Sequence, residues 1–210
     1  VPCARIGGVT LLATPVRVGI LVYDEVEVLD CCGPFEVFSV ADRLHTRTSD
    51  TALFEVSLLA ATPEVVARGG LVLRAHATLD ADPEVDVLVV AGGVTDVVEQ
   101  DTGVTGWIAR TPTRLTASVC TGAFLLAQAG VLTDQRVTTH WEDQQALQAR
   151  WPALRVESAR RWVRDGDLFT SGGISAGIDL SLHLVEVLAG RELALATAHQ
   201  MEYRWHEDPA

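Results

Sequence analysis

The chain has 210 residues, 48% of them apolar, and a mean hydropathy of +0.23, enough to bury a sizeable core within one soluble domain. Sixteen basic against twenty-eight acidic residues give a net charge of −12. That balance argues against nucleic acid, which needs a basic face to displace counterions, and against an anionic membrane surface. No apolar run reaches the roughly 18 residues of a membrane span.

In chain order, residues 1–15 read as an N-terminal extension without a clear secretory pattern, although the apolar stretch 9–13 faintly suggests one. Residues 16–23 form a β-branched run typical of a strand buried on both faces. An acidic stretch follows whose Val26, Leu29, Phe35, Val37, Phe38 and Val40 supply a helix face, expected to break at Gly33-Pro34. Residues 54–60 predict a second strand, 65–72 a short hairpin-like excursion, and 86–91 the clearest buried strand, running into Gly92-Gly93. A helix over 103–110 leads to a strand at 114–119, then Cys120-Thr121-Gly122 and an apolar helix over 123–129. Beyond lie 136–139, a polar helix at 142–150, strand-like pieces at 155–157, 162–164 and 168–171, and helices over 176–188 and 193–203. This alternation predicts an α/β fold: a doubly wound, mostly parallel sheet with helices on both faces, as one domain over 16–210.

In such sheets the site lies beyond the carboxyl ends of the strands. Cys120-Thr121-Gly122 places a nucleophile-type residue where a strand turns sharply into a helix, an elbow that exposes the side chain. The new helix aims free N–H groups at the sulfur, so a lowered thiol pKa is expected, with the Thr121 N–H beside the developing charge. Simple packing of a buried cysteine fits the same local pattern. Asp30, among apolar residues beyond a strand end, suits a carboxyl acid or base of raised pKa, or a helix N-cap. Glu36 competes for that role but reads as the acidic first turn of a restarted helix. Gly92-Gly93 would let backbone approach a substrate and supply a donor.

His140-Trp141-Glu142 has the H-x-E spacing of an amidotransferase triad, yet lies too near the nucleophile for one. His183, His199 and His206 show no metal-ligand spacing, and Cys31-Cys32 is not a zinc pair. Adjacent Cys31 and Cys32 would bridge each other only with strain, and four irregular cysteines imply a reduced, cytoplasmic protein. The aromatic tail 201–206 is expected to pack on the body or on a second subunit.

Taken together, Asp30-Cys31-Cys32-Gly33-Pro34-Phe35-Glu36-Val37, Ala91-Gly92-Gly93, Ser118-Val119-Cys120-Thr121-Gly122-Ala123, Thr138-Thr139-His140-Trp141 and Gly172-Gly173-Ile174-Ser175-Ala176-Gly177-Ile178-Asp179 resemble the ThiJ/PfpI superfamily of the class I glutamine amidotransferase-like fold. Within it they look most like isonitrile hydratases and the sensor domains of AraC-type regulators. The resemblance implies a flavodoxin-like fold and a homodimer in which Cys120 is the nucleophile and Asp30 its carboxyl partner. Thr121 and Gly93 would offer backbone donors, and Gly92, His140, Gly172 and Gly173 are further pocket positions. It implies neither metal nor cofactor, and a small-molecule substrate whose isonitrile carbon is attacked by the thiolate, protonated and hydrated to a formamide. Thr121 stands where protease and glyoxalase members carry His, which disfavours those activities. A non-catalytic sensor and a cysteine-based redox protein are the alternatives. Regulators continue into a DNA-binding domain, so a DNA-reading role would need a separate partner here.

Overall fold

A computed structural model describes residues 15–207, together with the two-residue strands Arg5–Ile6 and Val9–Thr10, which pair antiparallel. The rest of the expected N-terminal extension lies outside the described residues. Seven strands form the central sheet: β1 (Val16–Leu21), β2 (Phe54–Ala60), β3 (Ala77–Thr78), β4 (Val87–Val90), β5 (Leu115–Val119), β6 (Trp162–Asp165) and β7 (Leu168–Ser171). Their order is β6-β7-β5-β4-β1-β2-β3. Every neighbouring pair is parallel except β6 with β7. The flavodoxin-like architecture read from the sequence is the one observed.

Parallel strands covered on both faces must be apolar along their whole length. β4 meets this demand, with all four side chains at 0–1% exposure. The helices are α1 (Val28–His45), α2 (Thr102–Arg110), α3 (Gly122–Gln128), α4 (Gln144–Arg150), α5 (Ala176–Ala189) and α6 (Arg191–Gln200). Strand order reverses between β1 and β4, because β1 runs on to β2 on one side and β4 to β5 on the other. A crevice opens at the carboxyl ends of such strands.

Two expectations need correction. α1 does not break at Gly33-Pro34 but runs unbroken for 18 residues. Pro34 costs the helix one backbone hydrogen bond. Tertiary contact offsets it: α5 lies so close that a Cβ on Gly33 would sit 3.0 Å from Ile178 Cγ1. Glu36 therefore falls mid-helix, exposed, and cannot serve as a rival to Asp30. The excursion at 65–72 is a true hairpin, with Glu64–Val66 antiparallel to Val72–Arg74. The aromatic tail packs on its own body: Trp205 Nε1 donates to the Asp179 carbonyl at 3.2 Å and the His206 N–H to Asp179 Oδ1 at 2.9 Å.

Candidate active site

The elbow after β5 is built by tight packing. Cys120 has φ +55°, a left-handed conformation that a non-glycine residue adopts only at a cost. Its N–H donates to the carbonyls of Ser171 and Gly172 at 3.2 and 3.3 Å, and its carbonyl accepts from the Thr139 hydroxyl at 2.7 Å. α3 then starts hard against the end of β4, since any Cβ on Gly122 would collide with the Val90 carbonyl oxygen. The Thr121 N–H is thereby brought to the Cys120 sulfur.

Asp30 arrives from the opposite wall. After β1 the chain pairs Val26 with Gly93, and the Glu27 N–H donates to the Gly92 carbonyl at 2.9 Å. This lacing drops the first turn of α1 beneath Gly92, whose N–H donates to Asp30 Oδ2 at 3.2 Å. A Cβ on Gly92 would lie 2.7 Å from Asp30 Oδ2, 2.7 Å from Cys120 Cβ and 2.6 Å from the Thr121 nitrogen. No side chain fits there. Asp30 is fully buried beside the Cys120 side chain, and its Oδ1 has no hydrogen-bond partner.

Burial and the nearby Glu27 charge push the Asp30 carboxyl up to about 7, against the pull of the Gly92 N–H. The thiol departs from expectation. Burial and the facing Asp30 charge push Cys120 up to about 12, with the Thr121 N–H opposing. The elbow is present, but the seven-residue α3 does not outweigh a desolvated sulfur beside a carboxylate. Gly93 is also corrected. Its N–H donates to Thr121 Oγ1 at 2.8 Å, and the Thr121 hydroxyl donates back to the Gly93 carbonyl at 2.8 Å. That donor is taken up inside the protein, and the Thr121 side chain ties the Gly93 loop to the elbow.

A cavity of about 400 Å³ opens over the sulfur, lined in part by Cys120, Thr121, Gly93, His140, Phe124 and Ile174. Gly173, beyond the end of β7, lies against two of its lining residues, because a Cβ there would collide with the His140 ring and lie 3.2 Å from Cys120 Sγ. Gly172 is different: its Cβ position has ordinary room, and its backbone serves the elbow instead. His140 Nδ1 lies 3.4 Å from Asp143 Oδ2 and 3.7 Å from Glu142 Oε2.

Sequence reasoning missed the far wall. Glu99, buried, accepts from the Thr95 hydroxyl at 2.5 Å and pairs with Arg150, whose guanidinium lies over Trp151. Glu99 and Arg150 stand 51 residues apart on separate elements, so no local pattern announces them. No group of three or more His, Cys, Asp or Glu side chains placed to hold a metal ion occurs among the described residues. No helix among them is long and apolar enough to cross a membrane.

Comparison with known proteins agrees with this fold. The profile of the DJ-1/PfpI family matches residues 16–187. An isonitrile hydratase of Pseudomonas putida is 34% identical over 193 residues, covering 89% of this chain and 78% of that protein. The HTH-type transcriptional regulator GbdR of Pseudomonas aeruginosa is 32% identical over 90% of this chain, which spans only 51% of the regulator. The crystal structure of a ThiJ/PfpI family protein from Pseudomonas syringae superposes with a TM-score of 0.80 at 27% identity, covering 93% of this chain and 77% of that one.

Proposed function

The chain belongs to the DJ-1/PfpI family, and we propose that within it this protein hydrates isonitriles by covalent catalysis at Cys120. The observation that carries the reading is a buried Asp30 carboxyl placed beside the Cys120 side chain, which itself lines a cavity. At neutral pH the thiol keeps its proton, and Asp30 is divided between its charged and neutral forms. The carboxylate removes the thiol proton as sulfur bonds to the terminal isonitrile carbon. It then hands that proton to the same carbon, leaving a thioimidate on Cys120. Water adds to this carbon, the S–C bond breaks, and the products are an N-substituted formamide and the restored thiol. The reaction consumes one isonitrile and one water and changes no oxidation state of the protein. Incubation with cyclohexyl isocyanide and quantification of the formamide tests the proposal.

The cavity wall constrains the substrate's charge. Glu27, Asp96, Glu99, Glu142 and Asp143 face only two guanidinium groups, of which Arg68 pairs with Glu27 at 3.4 Å and Arg150 with Glu99. An uncharged electrophile is thus favoured over an anionic one, as isonitriles require. Two methanethiosulfonates, one bearing trimethylammonium and one sulfonate, provide the measurement, with rates normalised to free cysteine. Modification of Cys120, located by peptide mass spectrometry, is expected to be about tenfold faster with the cation at low salt, the gap closing near 1 M salt. Equal rates would remove the electrostatic argument.

The similarity to a regulator over 90% of this chain supports a second reading, a ligand sensor without turnover. A ligand held equally by the wild type and Cys120→Ala, with no formamide from either, favours it. A redox role draws less support, since a thiol pushed up to about 12 ionises too little to be oxidised readily. The homodimer belongs to the proposal as well. Light scattering is expected to give twice the 22.6 kDa of one chain, and a mass of one chain refutes it.

A further inference from the structure

Resting on the hydratase reading, we propose that Arg150 selects the substrate, an isonitrile whose substituent carries a neutral hydrogen-bond acceptor such as an ester or amide carbonyl. Two guanidinium groups line the cavity, those of Arg68 and Arg150. Arg68 stands on the hairpin turn, half-exposed, and meets Glu27 at 3.4 Å. Arg150 is built in. Its partner Glu99 is only 3% exposed, and a buried carboxylate is costly without a cation beside it. Glu99 is fixed in turn: its N–H donates to the Thr95 carbonyl at 2.9 Å, and its Oε1 accepts from the Thr95 hydroxyl at 2.5 Å. Its Oε2 is left for Arg150. The guanidinium carbon also lies 4.4 Å from the ring centroid of Trp151 and 5.4 Å from that of Phe124.

One carboxylate and two aromatic rings thus hold the group, and its remaining donors are open. A guanidinium has five N–H donors. Among the described residues its only hydrogen-bond partner is Glu99, reached through one terminal nitrogen. The side chain is 42% exposed and lines the cavity, so the other N–H groups are available to a ligand there. They do not serve the reacting atom. The charges that act on the Cys120 thiol are those of Asp30 and Asp143. Arg150 therefore meets the substituent of the isonitrile and leaves its terminal carbon to the sulfur.

Charge decides what that substituent carries. Glu99 already neutralises the guanidinium, and Asp96, Glu142 and Asp143 line the same cavity, so a carboxylate on the substrate is repelled. A neutral carbonyl accepts the N–H donors without bringing charge, and a hydrogen bond from a charged donor is among the stronger ones. A plain alkyl chain in the same place strips water from those donors and returns nothing. A site built to donate discriminates most strongly against the analogue that lacks the acceptor.

The test compares methyl esters of straight-chain ω-isocyano acids with alkyl isocyanides of matching length. Wild type, Arg150→Lys and the double variant Glu99→Gln/Arg150→Met are assayed on both series. The double variant removes the two charges together, so no buried carboxylate is left unpaired. Wild type is expected to favour the ester about tenfold in kcat/KM at the best-fitting chain length, chiefly through a lower KM. Lysine keeps the charge but loses the fork, so Arg150→Lys should keep only part of that preference, and the double variant none. A lesion that merely disturbs packing lowers both series together and keeps their ratio. An unchanged ratio in the double variant overturns the inference, as does a wild type indifferent to the ester at every length. Ester-bearing and plain alkyl methanethiosulfonates, scored as modification of Cys120 relative to free cysteine, repeat the comparison without hydration. If no isonitrile is turned over, yet wild type favours the ester-bearing reagent about tenfold and the double variant does not, the hydratase reading fails and the Arg150 subsite stands. Equal rates with no turnover remove both.

Discussion

Cys120→Ala is expected to stay folded and to lose at least ~10³-fold in kcat/KM for isonitrile hydration. The size follows from the absence of a substitute nucleophile. Cys31 is buried, donates to the Val28 carbonyl at 3.2 Å and is held near 12 by burial and by Cys32. Neither Cys31 nor Cys32 lines the cavity. Folding is spared because the elbow is held by its backbone. The Cys120 N–H and carbonyl keep Ser171, Gly172 and Thr139 whatever the side chain, and alanine at φ +55° carries much the same strain. The measurement is formamide production beside a far-UV dichroism spectrum of each protein. Full turnover by the alanine variant would end the case for covalent catalysis.

What could be read from the chain is uneven for physical reasons. Buried parallel strands must be apolar throughout, so β1, β4 and β5 announce themselves, and their alternation with helices implies the sheet. Glycine pairs at strand ends mark the crevice equally well but cannot say what each glycine does. Gly92 is required by three atoms from two segments, the elbow and α1, whereas Gly172 has room for a side chain. The break expected at Gly33-Pro34 failed because the compensating contact, Ile178, comes from a helix far along the chain. His140 was visible as a motif, yet its arrival over the sulfur depends on Thr139 fastening the preceding segment to the elbow carbonyl. The thiol's high pKa was the least legible property. It arises from burial and from Asp30, both set by tertiary structure, whereas the helix terminus that argued for a low value is local.

Asp30→Asn is expected to make the protein more stable above neutral pH while disabling it. The carboxyl sits near 7 in the folded state against an ordinary value of 3.8. Between those values the folded protein binds more protons than the unfolded chain, so stability falls as pH rises and levels off above about 7. The full penalty for ionising Asp30 in place is about 4 kcal/mol, of which about 2–3 kcal/mol develops between pH 5 and pH 8. Asparagine carries none of it. Its oxygen can keep the Gly92 N–H while its amide faces the sulfur, so the advantage of the variant should widen by that amount across the same interval. Urea unfolding of both proteins at pH 5 and pH 8 supplies the comparison. Turnover moves the other way. Wild-type kcat/KM is expected to climb through about pH 7 as the proton-accepting carboxylate forms, and Asp30→Asn to lose about 100-fold or more. A variant with the wild-type slope of stability against pH would mean that Asp30 titrates near its ordinary value in the fold, and the raised carboxyl on which the rise in turnover through pH 7 rests would have to be abandoned.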